Sequence, residues 1–158
     1  MKVGVVGDIH GSYESLKEAV REMGIIDHLI FTGDGIREIN RLQDETGLFV
    51  RGVRGNCDFL SGFPNDDLFH LDNYKVFLTH GHIYDVKSGL TRLAKIGDAR
   101  GAQLVIFGHT HIPESTTWNN VMLFNPGTLY RERSYGGISF GMIEIVEGKI
   151  NLSHHRIA

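Results

Sequence analysis

Apolar residues cluster into five short runs in the first two thirds of the chain: Val3 to Val6, Leu29 to Phe31, Leu48 to Val50, Val76 to Leu78 and Leu104 to Phe107. Their brevity, their β-branched and aromatic content and the glycines beside them predict buried strands. Between the first two runs the spacing changes to a helical one, with Leu16, Ala19, Val20 and Met23 on one face, Ser12 as N-cap and Gly24 as terminator. A βαβ unit follows from that order. A second helix is predicted over 88–99, with Leu90, Leu93 and Ala94 as its apolar stripe and Gly101 just past its end. In the last third, Trp118-Asn119-Asn120-Val121 and Val146-Glu147-Gly148-Lys149 read as two-residue hairpin turns between alternating strands. The pattern predicts one α/β domain over residues 1–158, with parallel pairing first and antiparallel pairing later. No repeat or Pro/Ser-rich linker divides it.

Composition narrows the class. Hydrophobic residues make up 41% of the 158 residues and charged residues 22%, ordinary globular values that exclude a disordered or fibrous chain. The formal charge of -3 and the lack of any long single-sign block exclude a broad nucleic-acid face. Cys57 is the lone cysteine, so no disulfide can form within the chain and no zinc knuckle is present. The opening Met1 to Gly7 is too short for a leader's apolar region and no apolar run approaches 18 residues, so the expected location is the cytoplasm, without membrane insertion. Gly137-Ile138-Ser139-Phe140-Gly141 matches a nucleophile-elbow pattern, but the alternation that follows predicts a strand where the elbow needs a helix.

The nine histidines change the picture, through where they fall. Each apolar run is followed by residues of metal-ligand type: Asp8 and His10, then Asp34, Asn56, His80, and finally His109 and His111. Ligands of α/β sheets gather outside the carboxyl ends of the strands, so these seven can meet in one crevice although they span about a hundred positions. Any one of the acids alone would read as a turn residue or a cap; the recurrence is what points to metal. Imidazole, carboxylate and amide donors without thiolate suit Mn, Fe, Zn, Ni or Co. Seven donors exceed what one open site can use, which implies two divalent ions sharing a carboxylate. Such a centre attracts phosphate. The expected partner is therefore a phosphate-bearing substrate, and homo-oligomerisation is left open.

Gly7-Asp8-Ile9-His10-Gly11, Gly33-Asp34, Gly55-Asn56, His80-Gly81-His82 and Gly108-His109-Thr110-His111 resemble, in order, the signature of the calcineurin-like metallophosphoesterases. Gly55-Asn56-Cys57-Asp58 and Asn125-Pro126-Gly127-Thr128 resemble in particular its small YfcE-like phosphodiesterases. The resemblance implies a sandwich of two mixed β-sheets flanked by helices, and a small phosphodiester or nucleotide-like substrate as partner. It implies a first ion on Asp8, His10, Asp34 and His111, a second on Asp34, Asn56, His80 and His109, and a metal-bridging hydroxide as nucleophile. Many relatives carry His-Glu after the ligand asparagine; here Cys57-Asp58 stands instead, which leaves Asp58 and His82 as candidate catalytic groups, with Asp58 read equally as a turn residue that orients a ligand. Asn56, His82 and Arg131, with Arg133 nearby, are the candidate substrate contacts. His28, His70, His154 and His155 read as surface residues. The retromer subunit of this fold acts as a protein-binding scaffold, and loss of ligands would be its mark. In this chain none is lost, which favours an enzyme.

Overall fold

The computed structural model describes residues 1–60 and 62–158. Two five-stranded sheets face each other. The first runs β10-β9-β1-β2-β3, from β1 (Lys2–Val6), β2 (His28–Phe31), β3 (Val50–Gly52), β9 (Ser139–Val146) and β10 (Lys149–Arg156). The second runs β4-β5-β6-β8-β7, from β4 (Asp66–Leu71), β5 (Tyr74–Thr79), β6 (Leu104–Ile106), β7 (Glu114–Trp118) and β8 (Val121–Asn125). Helices α1 (Tyr13–Met23) and α2 (Ile36–Thr46) cover the outer face of the first sheet, and α3 (Thr91–Ala99) covers that of the second.

Strand periodicity explains the layering. In β1, Val3 and Val5 join the core between the sheets, together with Ile30, Val76, Leu78, Leu104 and Ile106. The alternate residues face the helices: Val6 meets Leu16 and Ala19 of α1 in one outer core, while Phe77 and Val105 meet Leu93 and Ala94 of α3 in the other. Strands buried on both faces must be apolar at nearly every position, and the short continuous runs of the sequence are those strands.

Both expected hairpin turns are present, with Trp118 opposite Val121 and Val146 opposite Lys149. Asn119 and Glu147 take the left-handed backbone that two-residue turns require. Other expectations need correction. The two mixed sheets that the resemblance implies are present, but pairing does not run parallel first and antiparallel later: β4 and β5 already pair antiparallel, and β8, though in the last third, pairs parallel with β6. The third strand is Val50–Gly52 instead of 48–50, since Phe49 is exposed. Helix α3 starts at Thr91, because a separate 3-10 turn over Val86–Ser88 ends at Gly89, whose φ of 134° stops the helix from extending back. Ser139 opens β9 and its buried hydroxyl donates to the Pro126 carbonyl at 2.8 Å, so it is no nucleophile. His154 is half-buried, stacked on Phe124 with a 4.7 Å centroid separation and bonded to the Asn125 carbonyl; it is not a surface residue. Among the described residues no helix is long and apolar enough to cross a membrane.

Candidate metal centre

The carboxyl ends of β1, β2 and β3 in one sheet and of β5 and β6 in the other point to the same end of the sandwich, and all seven predicted residues meet there. His10 Nε2 lies 3.7 Å from Asp8 Oδ1 and 3.6 Å from Asp34 Oδ2. His111 Nε2 lies 3.5 Å from Asp8 Oδ1. His80 Nε2 lies 3.2 Å from Asp34 Oδ2 and 3.1 Å from Asn56 Oδ1. The His80 and His109 rings are 5.0 Å apart, and the His10 and His111 rings 5.1 Å. Ligand atoms close enough to share one ion form the groups Asp8, His10, His111 and Asp34, His80, His109. A third group joins His10 and Asp34 to Cys57.

The backbone is bent to make this possible. Of the nine non-glycine residues with positive φ among the described residues, five are Asp8, His10, Asp34, His109 and His111. The other four, Asp72, Asp85, Asn119 and Glu147, sit in turns between elements. A left-handed residue other than glycine costs on the order of 1 kcal/mol or more, so a cluster of five marks a site the surrounding structure is built to hold. Asp8 Oδ1, His10 Nε2, Thr32 Oγ1 and His82 Nδ1 are buried without a hydrogen-bond partner, and all four lie in or beside the cluster. Buried polar atoms without partners call for a ligand.

His80 gives the sharpest test of fit. Its Nδ1 is 2.8 Å from the Thr32 carbonyl, an acceptor, so Nδ1 carries the hydrogen and Nε2 presents a lone pair. That lone pair faces the Asp34 and Asn56 oxygens, an arrangement favourable only with a cation among them. Without a metal ion the proton plays that part: burial lowers the His80 pKa, but Asp34 and Asp8 outweigh it and the net shift is upward. His10 is raised likewise, chiefly by Asp8. Burial works to raise the Asp8 and Asp34 carboxyls, and their imidazole neighbours overcome it and hold both below the usual range. His109 goes the other way. Burial first, then the charges of His80 and Lys87, push it down to about 4, so it is neutral and free to donate a lone pair across the neutral range.

Two blocks support the cluster from outside it, and for Asp58 the structure favours the orienting role over the acid. Asp58 does not face the cluster as an acid. Its Oδ2 accepts the Asp34 and Gly55 amides at 2.7 and 2.8 Å, and its Oδ1 accepts those of Gly35 and Ile36 at 2.9 and 3.1 Å. It clamps the Asp34 loop to the Gly55 loop. Gly55 permits the approach, since a Cβ there would lie 2.6 Å from Asp34 Cγ. Asn125 donates to the Gly108 carbonyl and to Thr110, and Thr128 donates to the Asp8 carbonyl at 2.6 Å, so the Asn125-Pro126-Gly127-Thr128 block buttresses the loops from both sheets. Of the candidate substrate contacts, Arg131 turns to the Ala158 carbonyl at 3.4 Å, whereas Arg133 lines the cleft beside His109 and His111. The His82 ring lies 5.4 Å from that of His80 and 6.1 Å from that of His109.

Comparison with known proteins agrees with this architecture. The chain is 32% identical over 130 residues to the probable metallophosphoesterase YsnB of Bacillus subtilis, covering 82% of this chain and 75% of the relative. It is 27% identical over 169 residues to the phosphodiesterase YfcE of Escherichia coli, covering 91% and 88%. A crystal structure of a predicted phosphoesterase from Streptococcus pneumoniae superposes with a TM-score of 0.82 at 25% identity, covering 99% of this chain and 92% of that one. The model of the calcineurin-like phosphoesterase superfamily domain matches residues 1–148, a span that includes every strand exit described above, and the chain belongs to that family.

Proposed function

We propose that the protein is a phosphodiesterase working with two divalent transition-metal ions, one on Asp8, His10, Asp34 and His111, the other on Asp34, Asn56, His80 and His109. The observation that carries this reading is the His80 Nε2 lone pair facing two oxygens. When bound, such a pair of ions supplies a polarised water for attack at phosphorus and charge to stabilise the phosphoryl oxygens. The residues of the chain do the rest. Asp34 reaches both groups, and Asp58 fixes the loop that carries it. Two carboxylates against two dications leave a net positive pocket that draws in phosphate. The unpartnered Nδ1 of half-buried His82 is available to a substrate oxygen, and Arg133 takes the place first given to Arg131. The donor types suit Mn, with Fe, Zn, Ni and Co as alternatives. The diester preference is supported by the likeness to YfcE and by the Cys57-Asp58 pair standing where other relatives carry His-Glu. The reading takes residues 1–158 as one domain acting in the cytoplasm.

The test is elemental analysis of the purified protein with assay of bis(p-nitrophenyl) phosphate in added Mn. About two ions per chain and Mn-stimulated cleavage are expected. Failure to take up metal would overturn the proposal. Two bound ions with no turnover of diesters, monoesters, cyclic nucleotides or pyrophosphates would favour the protein-binding alternative.

The pKa directions give a separate prediction. His10 and His80, raised in the folded metal-free protein, contribute stability that is complete below the unfolded imidazole value of about 6.5 and is lost as pH rises through their folded values. The metal-free protein loses this contribution as pH rises above about 6.5, when Asp8 and Asp34 come to face each other uncompensated. Metal binding has the opposite dependence, since it needs neutral imidazoles. The rise in Tm on adding Mn is therefore expected to be larger at pH 8 than at pH 6 by differential scanning fluorimetry. An equal rise would contradict the ligand assignment.

A further inference from the structure

This inference rests on the diesterase reading and names the arms of the ester. Two clefts border the ligand cluster and share no lining residue. The larger, about 770 Å³, opens beside His109 and His111, between Lys87 and Leu90 on one wall and Arg133 and Tyr135 on the other. The smaller, about 320 Å³, opens beside His10 and Asp34 and is lined by Arg37, Phe59 and Leu60. Small-molecule sites occupy roughly 300 to 1,000 Å³, so each cleft can take a substituent of its own.

The two clefts carry the same kind of recognition. Each has an aromatic ring in solvent, Tyr135 at 61% exposure and Phe59 at 90%. Each has cations, Lys87 and Arg133 in one and Arg37 in the other, that form no ion pair among the described residues. Aromatic faces beside guanidinium groups suit flat heterocycles, which stack on the ring and hydrogen-bond at their edges. Glu114 and Glu132 also line the larger cleft. Its charge is thus balanced, and it fits a neutral arm rich in donors and acceptors better than an arm bearing a second phosphate. A nucleoside has that character.

A phosphodiester sends two substituents away from one phosphorus. With phosphorus at the cluster, one arm can enter each cleft. A 3′,5′-cyclic nucleotide carries both ester oxygens on one sugar and has one base, so it leaves one cleft empty. We infer that the protein acts on linear dinucleotide-type diesters, with one base laid on Tyr135 in the Lys87–Arg133 cleft and the other on Phe59. Hydrolysis breaks one P–O bond: the hydroxyl of water goes to phosphorus, its proton goes to the departing nucleoside oxygen, and a nucleoside and a nucleotide are released.

The test compares a linear dinucleoside monophosphate with the 3′,5′-cyclic nucleotide of the same base, using Mn-loaded protein, with bis(p-nitrophenyl) phosphate as control for the centre. The linear substrate is expected to have the higher kcat/KM, by at least about ten-fold. Tyr135→Ala and Phe59→Ala, both on the surface, are each expected to lower the linear value by about five- to a hundred-fold, the effect of removing a stacking ring. Equal linear and cyclic values that neither substitution changes, with the control still cleaved, would overturn the inference and spare the diesterase reading. Loss of the control activity would count against that reading instead. The arms are then tested by calorimetry with a methylphosphonate-linked dinucleotide, whose linkage carries no charge. Weaker binding by each variant supports the inference, and equal binding by all three proteins overturns it.

Discussion

Asp34→Ala is expected to leave a folded protein that no longer holds its metal pair, with kcat/KM for diesters reduced by well over about a hundred-fold. Removing a group that only orients a ligand typically costs about 10- to 100-fold in metal affinity or activity. Asp34 touches more than that. Its Oδ2 faces both His10 and His80, so one truncation strips a donor from each ligand group. The fold should survive, because in the metal-free state Asp34 and Asp8 repel each other and the loss of one carboxylate relieves that strain as it removes a partner of His80. Plasma mass spectrometry reads the metal per chain, steady-state kinetics the activity, and circular dichroism the fold. Asp34→Asn, which keeps the shape and one oxygen, should lie between wild type and alanine. Two ions retained by the alanine variant would refute the bridging role.

Asp58→Ala is expected to do damage of another kind. Four backbone amides, those of Asp34, Gly35, Ile36 and Gly55, lose their acceptor at once. An unsatisfied buried donor costs about 1–3 kcal/mol, and water entering from the adjacent cleft recovers part of that, leaving a loss of about 3–5 kcal/mol. For a domain of this size that corresponds to a fall in Tm of about 10 °C. Metal affinity should drop with it, because the loop bearing Asp34 is no longer held. A proton donor to the leaving group would behave differently: Tm and metal content would stay fixed, and the loss in kcat would grow with the pKa of the departing alcohol. Calorimetry alongside a series of leaving groups separates the two roles.

The cluster was legible in the sequence because its logic is one-dimensional. A strand that ends in glycine and a ligand residue looks the same wherever it lies in the fold, and the five blocks could be read without knowing which sheet each belongs to. Supporting contacts are not written that way. Asp58 reaches back over twenty residues to the Asp34 loop, and Thr128 reaches Asp8 across 120 residues. No local pattern announces either. Helix α2 has no clear signal in the sequence although Ile36, Ile39 and Leu42 recur at helical spacing, because the polar and charged residues between them leave a stripe of only three apolar positions. Strand β4 was missed because Asp66 and Asp67 are poor strand formers and only Phe69 and Leu71 are buried at this sheet edge. Arg131 and Arg133 are two residues apart in one 3-10 turn, and only the turn decides which side chain reaches the cleft.

The proposed ligands come from both halves of the sandwich: Asp8, His10, Asp34 and Asn56 follow strands of one sheet, and His80, His109 and His111 follow strands of the other. A chain with only one half formed offers either oxygen donors with a single imidazole or imidazoles with no carboxylate, and neither set captures an ion well. With that ligand set the centre closes only after the sheets have docked, and ions held there would act as a latch across the seam. Interactions that arise after the folding transition state slow unfolding and leave folding unhurried. Metal in this protein should lengthen the lifetime of the native state without shortening the time taken to reach it.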